Sequence, residues 1–105
     1  MIIQQLENKN QFLIKTKEYN IFQSYQTIIA VYDKKSQHLY LNKDYWDDSK
    51  TTLKHLYIFI IRYTNSVWWA MLSYYKNNKR KSIQHYIDNI DDIHLLSDKE
   101  ITQLI

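Results

Sequence analysis

The chain contains no glycine, no proline and no cysteine in 105 residues. At average usage of about 7% glycine and about 5% proline, roughly a dozen of these residues would be expected. A phosphate-cradling loop, a dinucleotide-binding turn and a nucleophile elbow each need glycine, because the backbone there adopts positive φ or approaches a ligand closely. Without cysteine there is no thiol nucleophile, thiolate zinc site or disulfide. These absences predict a protein that is not an enzyme and has no cofactor.

The composition is that of a folded globular protein, with 45% hydrophobic and 24% charged residues. A chain of this length buries about two-thirds of its extended surface, so a single domain over residues 1–105 is expected. The net charge of +3 permits contact with nucleic acid but does not require it, since a solvated lysine-rich surface has the same charge. Aromatic residues reach 15%, and tyrosine and tryptophan suit both core edges and recognition surfaces.

The sequence shows no signal for secretion or for membrane insertion. Residues 1–5 lack a charged start and an apolar run of adequate length. The most apolar window, residues 56–72, is interrupted by Arg62 and falls short of the roughly 20 residues that a span requires. We therefore expect a cytoplasmic protein with no membrane contact, and the lack of cysteine fits a reducing compartment.

The N-terminal part of the chain has the pattern of β-strands. Residues 11–15 and 19–25 are short apolar or partly alternating runs, and residues 27–32 are β-branched and aromatic throughout. Five polar residues separate this last run from residues 38–42, which return as a strand. That spacing predicts an antiparallel hairpin.

The residues after Ser49 show helical periodicity. Apolar side chains recur at i, i+3, i+4 and i+7 from Leu53, and the opposite face is apolar as well, which predicts a buried central helix. A second helix is expected from Trp68 to Tyr75, and the apolar stripe over residues 83–90 predicts a third. We predict an α+β fold in which an N-terminal antiparallel sheet of three to four strands is followed by three to four helices.

Local signals indicate where the chain turns and where helices begin. Because there is no glycine, Asp33 or Asn42 is expected at any position with positive φ. Residues 47–49 supply helix N-caps. Residues 97–100, Ser-Asp-Lys-Glu, form a capping box that predicts a short terminal helix.

A basic run with aromatic residues upstream is the best candidate binding surface. Its cations would neutralise phosphates while the aromatic rings stack on bases, or they would meet an acidic protein surface. The same run also fits a solvated helix C-terminus, where cations complement the helix dipole. The candidate residues are Lys76, Lys79, Arg80, Lys81, Trp69 and Tyr74.

The four histidines and the two carboxylate clusters indicate neither a metal site nor catalysis. No two histidines have the helical spacing that would aim both at one metal, so no metal site is predicted. The cluster around Asp47 is explained by helix capping, and the cluster around Asp91 by the solvated face of a helix.

Residues 22–59 contain a series of short motifs close to S-Y-x-T-x-I-A, a turn, L-Y-L-N, then Y-W-D-Y-S-x-T-T and a helix. In these motifs the chain resembles a family of small uncharacterised proteins from bacteriophages, plasmids and other mobile elements. Asp48 departs from the pattern, which has tyrosine at this position. The matching residues are Ser24, Tyr25, Thr27, Ile29, Ala30, Leu39, Tyr40, Leu41, Asn42, Tyr45, Trp46, Asp47, Ser49, Thr51 and Thr52.

The resemblance implies a mobile-element context and no assigned enzymatic activity. Small proteins of this kind often act by binding and blocking a host factor, and inhibitors of CRISPR–Cas effectors are one such class. We therefore expect a protein that binds and inhibits a host defence complex, a protein or ribonucleoprotein. The alternative is direct binding of nucleic acid through residues 76–81. The Tyr45–Asp47 element is interpreted as an aromatic pair packed under the hairpin, with an interaction site as the alternative.

Overall fold

The computed structural model describes residues 1–6, 10–65 and 78–105, which form six strands and three helices. The strands are β1 (Ile2–Gln5), β2 (Gln11–Lys15), β3 (Tyr19–Ser24), β4 (Thr27–Asp33), β5 (His38–Asn42) and β6 (Ile93–Leu96). The helices are α1 (Lys50–Tyr63), α2 (Lys79–Asn89) and α3 (Asp98–Gln103). No helix in the described residues is both long and apolar enough to cross a bilayer.

The predicted α+β class is confirmed, but the sheet has six strands rather than three to four. The strands lie in chain order, and β1 to β5 are joined as an antiparallel meander. The two additional strands are the edges of the sheet: β1 pairs with β2, and β6 returns after α2 to pair in parallel with β5. Each has only four residues, too few for a clear period-2 pattern. The predicted helix from Trp68 to Tyr75 lies outside the described residues.

The register of the sheet separates its side chains onto two faces. Leu13 pairs with Phe22 on the face that α1 and α2 cover. The neighbouring pair, Ile21 with Val31, points to the other face and packs on Ile101 of α3. Each face of the sheet thus has its own hydrophobic core. Successive residues of a strand point to opposite faces, so the β-branched run in β4 contributes side chains to both cores.

Helix α1 packs one face into the larger core, whereas Ile58 and Ile61, which the sequence placed on a second buried face, are half-buried. It begins after Ser49, whose Oγ accepts a hydrogen bond of 3.1 Å from the backbone N–H of Thr52. Its Phe59 ring lies 6.0 Å from the Phe22 ring of β3. The predicted hairpin is also confirmed, since β4 and β5 pair antiparallel from Ala30 with Leu41 onward.

Within the described residues two non-glycine residues adopt positive φ, and neither is one that the sequence predicted. Tyr25 has φ 55° and Gln37 has φ 62°. Asp33 instead uses its carboxylate to accept hydrogen bonds from two following backbone amides, and Asn42 accepts from the amide of Asp44. A bulky residue in the left-handed region costs about 1–3 kcal/mol, so Tyr25 is a strained position.

The capping box predicted for the last helix is confirmed. Ser97 Oγ accepts from the backbone N–H of Glu100 at 3.2 Å, and Glu100 Oε1 accepts from the backbone N–H of Ser97 at 3.0 Å. The hydrogen bond from the backbone amide of Ser97 is the largest cause that lowers the pKa of Glu100. The hydrogen bond with the Ser97 side chain and the charge of Lys43 lower this pKa further.

We expect α3 to lose stability as the pH falls. The pKa of Glu100 lies below its ordinary value of 4.5, so its stabilising contribution is fully present above that value and is lost as the pH falls through the folded-state pKa. Glu100→Gln should therefore reduce the loss of stability between neutral and acid pH, measured by urea unfolding. The control is Glu18→Gln, which changes an exposed carboxylate in the β2–β3 turn. Equal pH dependence in the two variants would contradict this assignment.

Candidate functional site

Lys79, Arg80 and Lys81, the described basic residues of the candidate surface, lie at the beginning of α2. Asn78 is the N-cap of α2, and its Oδ1 accepts a hydrogen bond of 3.0 Å from the backbone N–H of Lys81. Lys79 and Arg80 precede it in the first turn, and all three cations are exposed. A helix N-terminus carries partial positive charge, so these cations do not complement the dipole as the basic run predicted. Their position does not stabilise the helix through its dipole.

Helices α1 and α2 begin beside a shared surface groove of about 390 Å³, which we call the cationic groove. Neither helix has an acidic residue in its first turn. The first amides of a helix lack intrahelical acceptors and attract anions, as do the surrounding ammonium and guanidinium groups. The groove therefore suits an anionic group. It is lined by Lys50, Leu53, Lys54, Asn78, Lys79 and Arg80.

Contacts with the core edge position two of the groove cations. Arg80 Nε lies 3.0 Å from Asp47 Oδ2, and its guanidinium lies 5.8 Å from the centre of the Trp46 ring. Lys79 Nζ lies 5.6 Å from the centre of the Tyr57 ring. Cation–π contacts of this length hold a charged group over the aromatic face while leaving it near solvent. The groove is thus attached to the folded core through Trp46, which is 4% exposed.

The structure brings together only part of the predicted surface. Lys79, Arg80 and Lys81 are all exposed at the start of α2, and the first two line the cationic groove, whereas Lys76, Trp69 and Tyr74 lie outside the described residues. Sequence reasoning missed Lys50 and Lys54, which line the same groove because α1 and α2 begin side by side. The available signal was two lysines four residues apart, at the start of a helix without an acidic first turn.

Another pocket, of about 170 Å³, lies between the β3–β4 turn and the segment that joins β5 to α1, and we call it the tyrosine pocket. Two tyrosines on it are exposed, Tyr25 by 63% and Tyr45 by 41%. The interpretation of Tyr45 and Trp46 as a packed pair therefore holds for Trp46 alone. Six of the seven lining residues belong to the sequence pattern described above, and Asp48 is its departure. The lining residues are Ser24, Tyr25, Thr27, Ile29, Tyr45, Asp48 and Thr52.

Backbone hydrogen bonds hold Tyr25 in its strained conformation. Tyr25 and Gln26 form a two-residue turn between β3 and β4, a type that requires positive φ in at least one central residue. The Tyr25 N–H donates to the carbonyl of Asn10 at 2.7 Å, and its carbonyl accepts from Gln23 Nε2 at 2.8 Å. Both polar backbone groups of the turn residue are thereby satisfied, and its ring remains in solvent.

Two histidines that are far apart in the sequence, His38 and His94, are in contact where β5 pairs with β6. His38 Nδ1 lies 2.9 Å from His94 Nε2, so one ring N–H donates to the bare nitrogen of the other ring. Asp92 Oδ1 lies 3.5 Å from His38 Nε2. The parallel pairing of β5 with β6 creates this contact across 56 positions, for which the sequence has no local signal. Within residues 1–6, 10–65 and 78–105, histidine, aspartate and glutamate form no group of three that could hold a metal ion.

Comparison with known proteins links the first two-thirds of the fold to a family. Residues 1–67 match a family of unknown function, DUF8033. Comparisons with curated proteins and with solved structures gave no match. The matched residues contain the whole tyrosine pocket but only the α1 side of the cationic groove, since α2 begins at Lys79. By this match over more than half of its length, the chain belongs to the DUF8033 family of unknown function.

Proposed function

We propose that the protein is a mobile-element protein that inhibits a host defence complex by stoichiometric binding, with the cationic groove as a principal contact. The single observation that carries the proposal is the grouping of four cations at the start of two helices. The resemblance to phage and plasmid proteins supplies the biological context. A CRISPR effector is one candidate target, which would make the protein an anti-CRISPR.

The charge of the groove supports a partner with an acidic surface. Arg80 contacts the carboxylate of Asp47, and this ion pair leaves the Arg80 side chain 56% exposed. Complementary charge accelerates association and orients the partner, even where it adds little affinity. Because the sequence has no nucleophile motif, we propose inhibition by occupation of a surface, without catalysis, in the cytoplasm of the host.

Direct binding of nucleic acid is the second candidate function. Lysines beside helix N-termini match the chemistry of phosphate groups, which favours contact with a nucleic-acid backbone. The aromatic residues described beside the groove are less suited to stacking on bases. Trp46 is buried, and Lys79 lies over the ring of Tyr57. A nucleic-acid complex of this surface would therefore depend on phosphate contacts and would have little sequence specificity.

Affinity purification from a host lysate, with and without nuclease treatment, separates the two functions. We expect a protein or ribonucleoprotein complex to remain bound after nuclease treatment. We also expect the purified protein to inhibit that complex at a ratio of about one to one in an activity assay. Loss of all bound material after nuclease treatment would favour the second function. A complex that is retained but fully active at saturation would contradict inhibition.

A further inference from the structure

We propose that the tyrosine pocket binds a cationic side chain, an arginine or a lysine, presented by a protein partner. This inference is independent of the cationic groove, which would receive the opposite charge. The pocket is formed by the β3–β4 turn, the segment before α1 and the first turn of α1. Its two exposed tyrosines and its one carboxylate define the chemistry of the ligand.

The conformation of Tyr25 indicates a role other than folding. A two-residue turn accommodates glycine or asparagine at positive φ with little strain, whereas tyrosine at φ 55° is strained. Tyr25 does not offset this strain by burial, because it is 63% exposed. Exposed and rigidly held tyrosines are the residues that interfaces favour as anchors. The turn thus fixes the backbone that presents the ring at a cost in stability, and an intermolecular contact of the ring would explain why tyrosine occupies this position.

The second ring, Tyr45, is presented by the segment that leads into α1. Its neighbour Trp46 turns into the core, so the same segment is anchored on one side and exposed on the other. The face of a tyrosine ring carries negative electrostatic potential and attracts ammonium and guanidinium groups. Two such rings at one small pocket favour a cation over a neutral apolar group.

Asp48 adds a full negative charge to the same pocket. It is exposed, and no ion pair of its carboxylate is recorded within the described part of the chain. None of the described lining residues is basic, and the hydroxyl group of Thr27 provides a further acceptor. The volume of about 170 Å³ is below that of ordinary small-molecule sites, about 300–1,000 Å³, so the pocket suits one side-chain head.

The proposal is tested by titrating the ¹⁵N-labelled protein with N-acetyl-arginine amide and following its amide signals by NMR. The neutral analogue N-acetyl-citrulline amide is the control ligand. We expect saturable shifts at Tyr25, Thr27 and Thr52 with a dissociation constant of about 1–10 mM for one side chain, and at least tenfold weaker binding of the citrulline compound. Equal binding of the two compounds, or shifts confined to other parts of the protein, would overturn the proposal.

Two variants separate a binding role from a structural one. Asp48→Asn should weaken binding of the arginine compound about tenfold, whereas Asp91→Asn, an equal change of charge at an exposed site, should not. Tyr25→Gly should raise the thermal midpoint by about 4–8 °C by relieving strain, while weakening binding at least fivefold. Unchanged binding in Asp48→Asn or in Tyr25→Gly would overturn the proposal, and so would a fall of the midpoint in Tyr25→Gly.

Discussion

Replacing Phe59 by alanine is expected to lower the free energy of unfolding by about 3–5 kcal/mol. Phe59 is 1% exposed and connects α1 to the sheet, because its ring lies 6.0 Å from Phe22 of β3. It also lies 6.1 Å from the ring of Tyr63, at the end of the same helix. The substitution removes these ring contacts and leaves a cavity beneath the helix. Small domains have total stabilities of about 5–15 kcal/mol, so the variant should unfold at markedly lower urea concentration.

The matched control for this substitution lies on the same helix. Ile58 is half-buried and lies outside the described core clusters, so Ile58→Ala should cost about 1 kcal/mol or less. Both substitutions replace a large apolar side chain of α1 by alanine. The difference between their losses of unfolding free energy therefore reports mainly on how deeply each side chain is buried. Equal losses of stability would contradict the packing of α1 on the sheet through its Phe59 face.

Replacing Lys79, Arg80 and Lys81 together by alanine should weaken binding of the partner by about 10–100-fold at low salt. The loss should shrink as the salt concentration rises, because the removed cations act through long-range attraction that salt screens. Stability should change by less than about 1 kcal/mol, since all three side chains are exposed and the ion pair between Arg80 and Asp47 is solvent-accessible. Binding titrations at several salt concentrations, together with urea unfolding, measure both quantities.

A second triple variant controls for the change of net charge. Lys17, Lys35 and Lys99 are exposed, and none of them lines the cationic groove. Changing them to alanine removes the same three charges from other parts of the surface. We expect binding within about threefold of the unmodified protein, since distant charges are largely screened at physiological salt. An equal loss in both triple variants would show that net charge, and not the groove, determines binding.

Features of the fold with a local cause could be predicted from the sequence. The β4–β5 hairpin follows from two β-rich runs separated by five polar residues. The start of α3 follows from the Ser-Asp-Lys-Glu capping box at residues 97–100. Strand β6 could not be predicted in this way, because its pairing with β5 is a tertiary contact over a long sequence separation. The four residues Ile93–Leu96 show no alternation that distinguishes a strand from the end of a helix.

The candidate site shows the same division. The cations from Lys79 to Lys81 were predicted as a surface, but their position at a helix start depends on the cap formed by Asn78. Lys50 and Lys54 join them only because two helices begin side by side. Positive φ at Tyr25 runs against residue preference, because a tertiary hydrogen bond to Asn10 and the tight turn impose it. Residue preferences favour asparagine or aspartate at positions with positive φ. The sequence alone cannot show that tertiary contacts override this preference at Tyr25.

Hydrogen–deuterium exchange of the protein, free and bound to its purified partner, tests the role of the cationic groove most directly. Residues 50 and 51 of α1 and residues 79 and 80 of α2 precede the capped amides of Thr52 and Lys81, and their own amides have no intrahelical acceptors. These amides exchange fast in the free protein and report sensitively on a bound group. Binding through the groove predicts slower exchange at residues 50–51 and 79–80 in the complex. Protection confined to other segments, such as the exposed edge strand Ile2–Gln5, would contradict the groove as the contact surface.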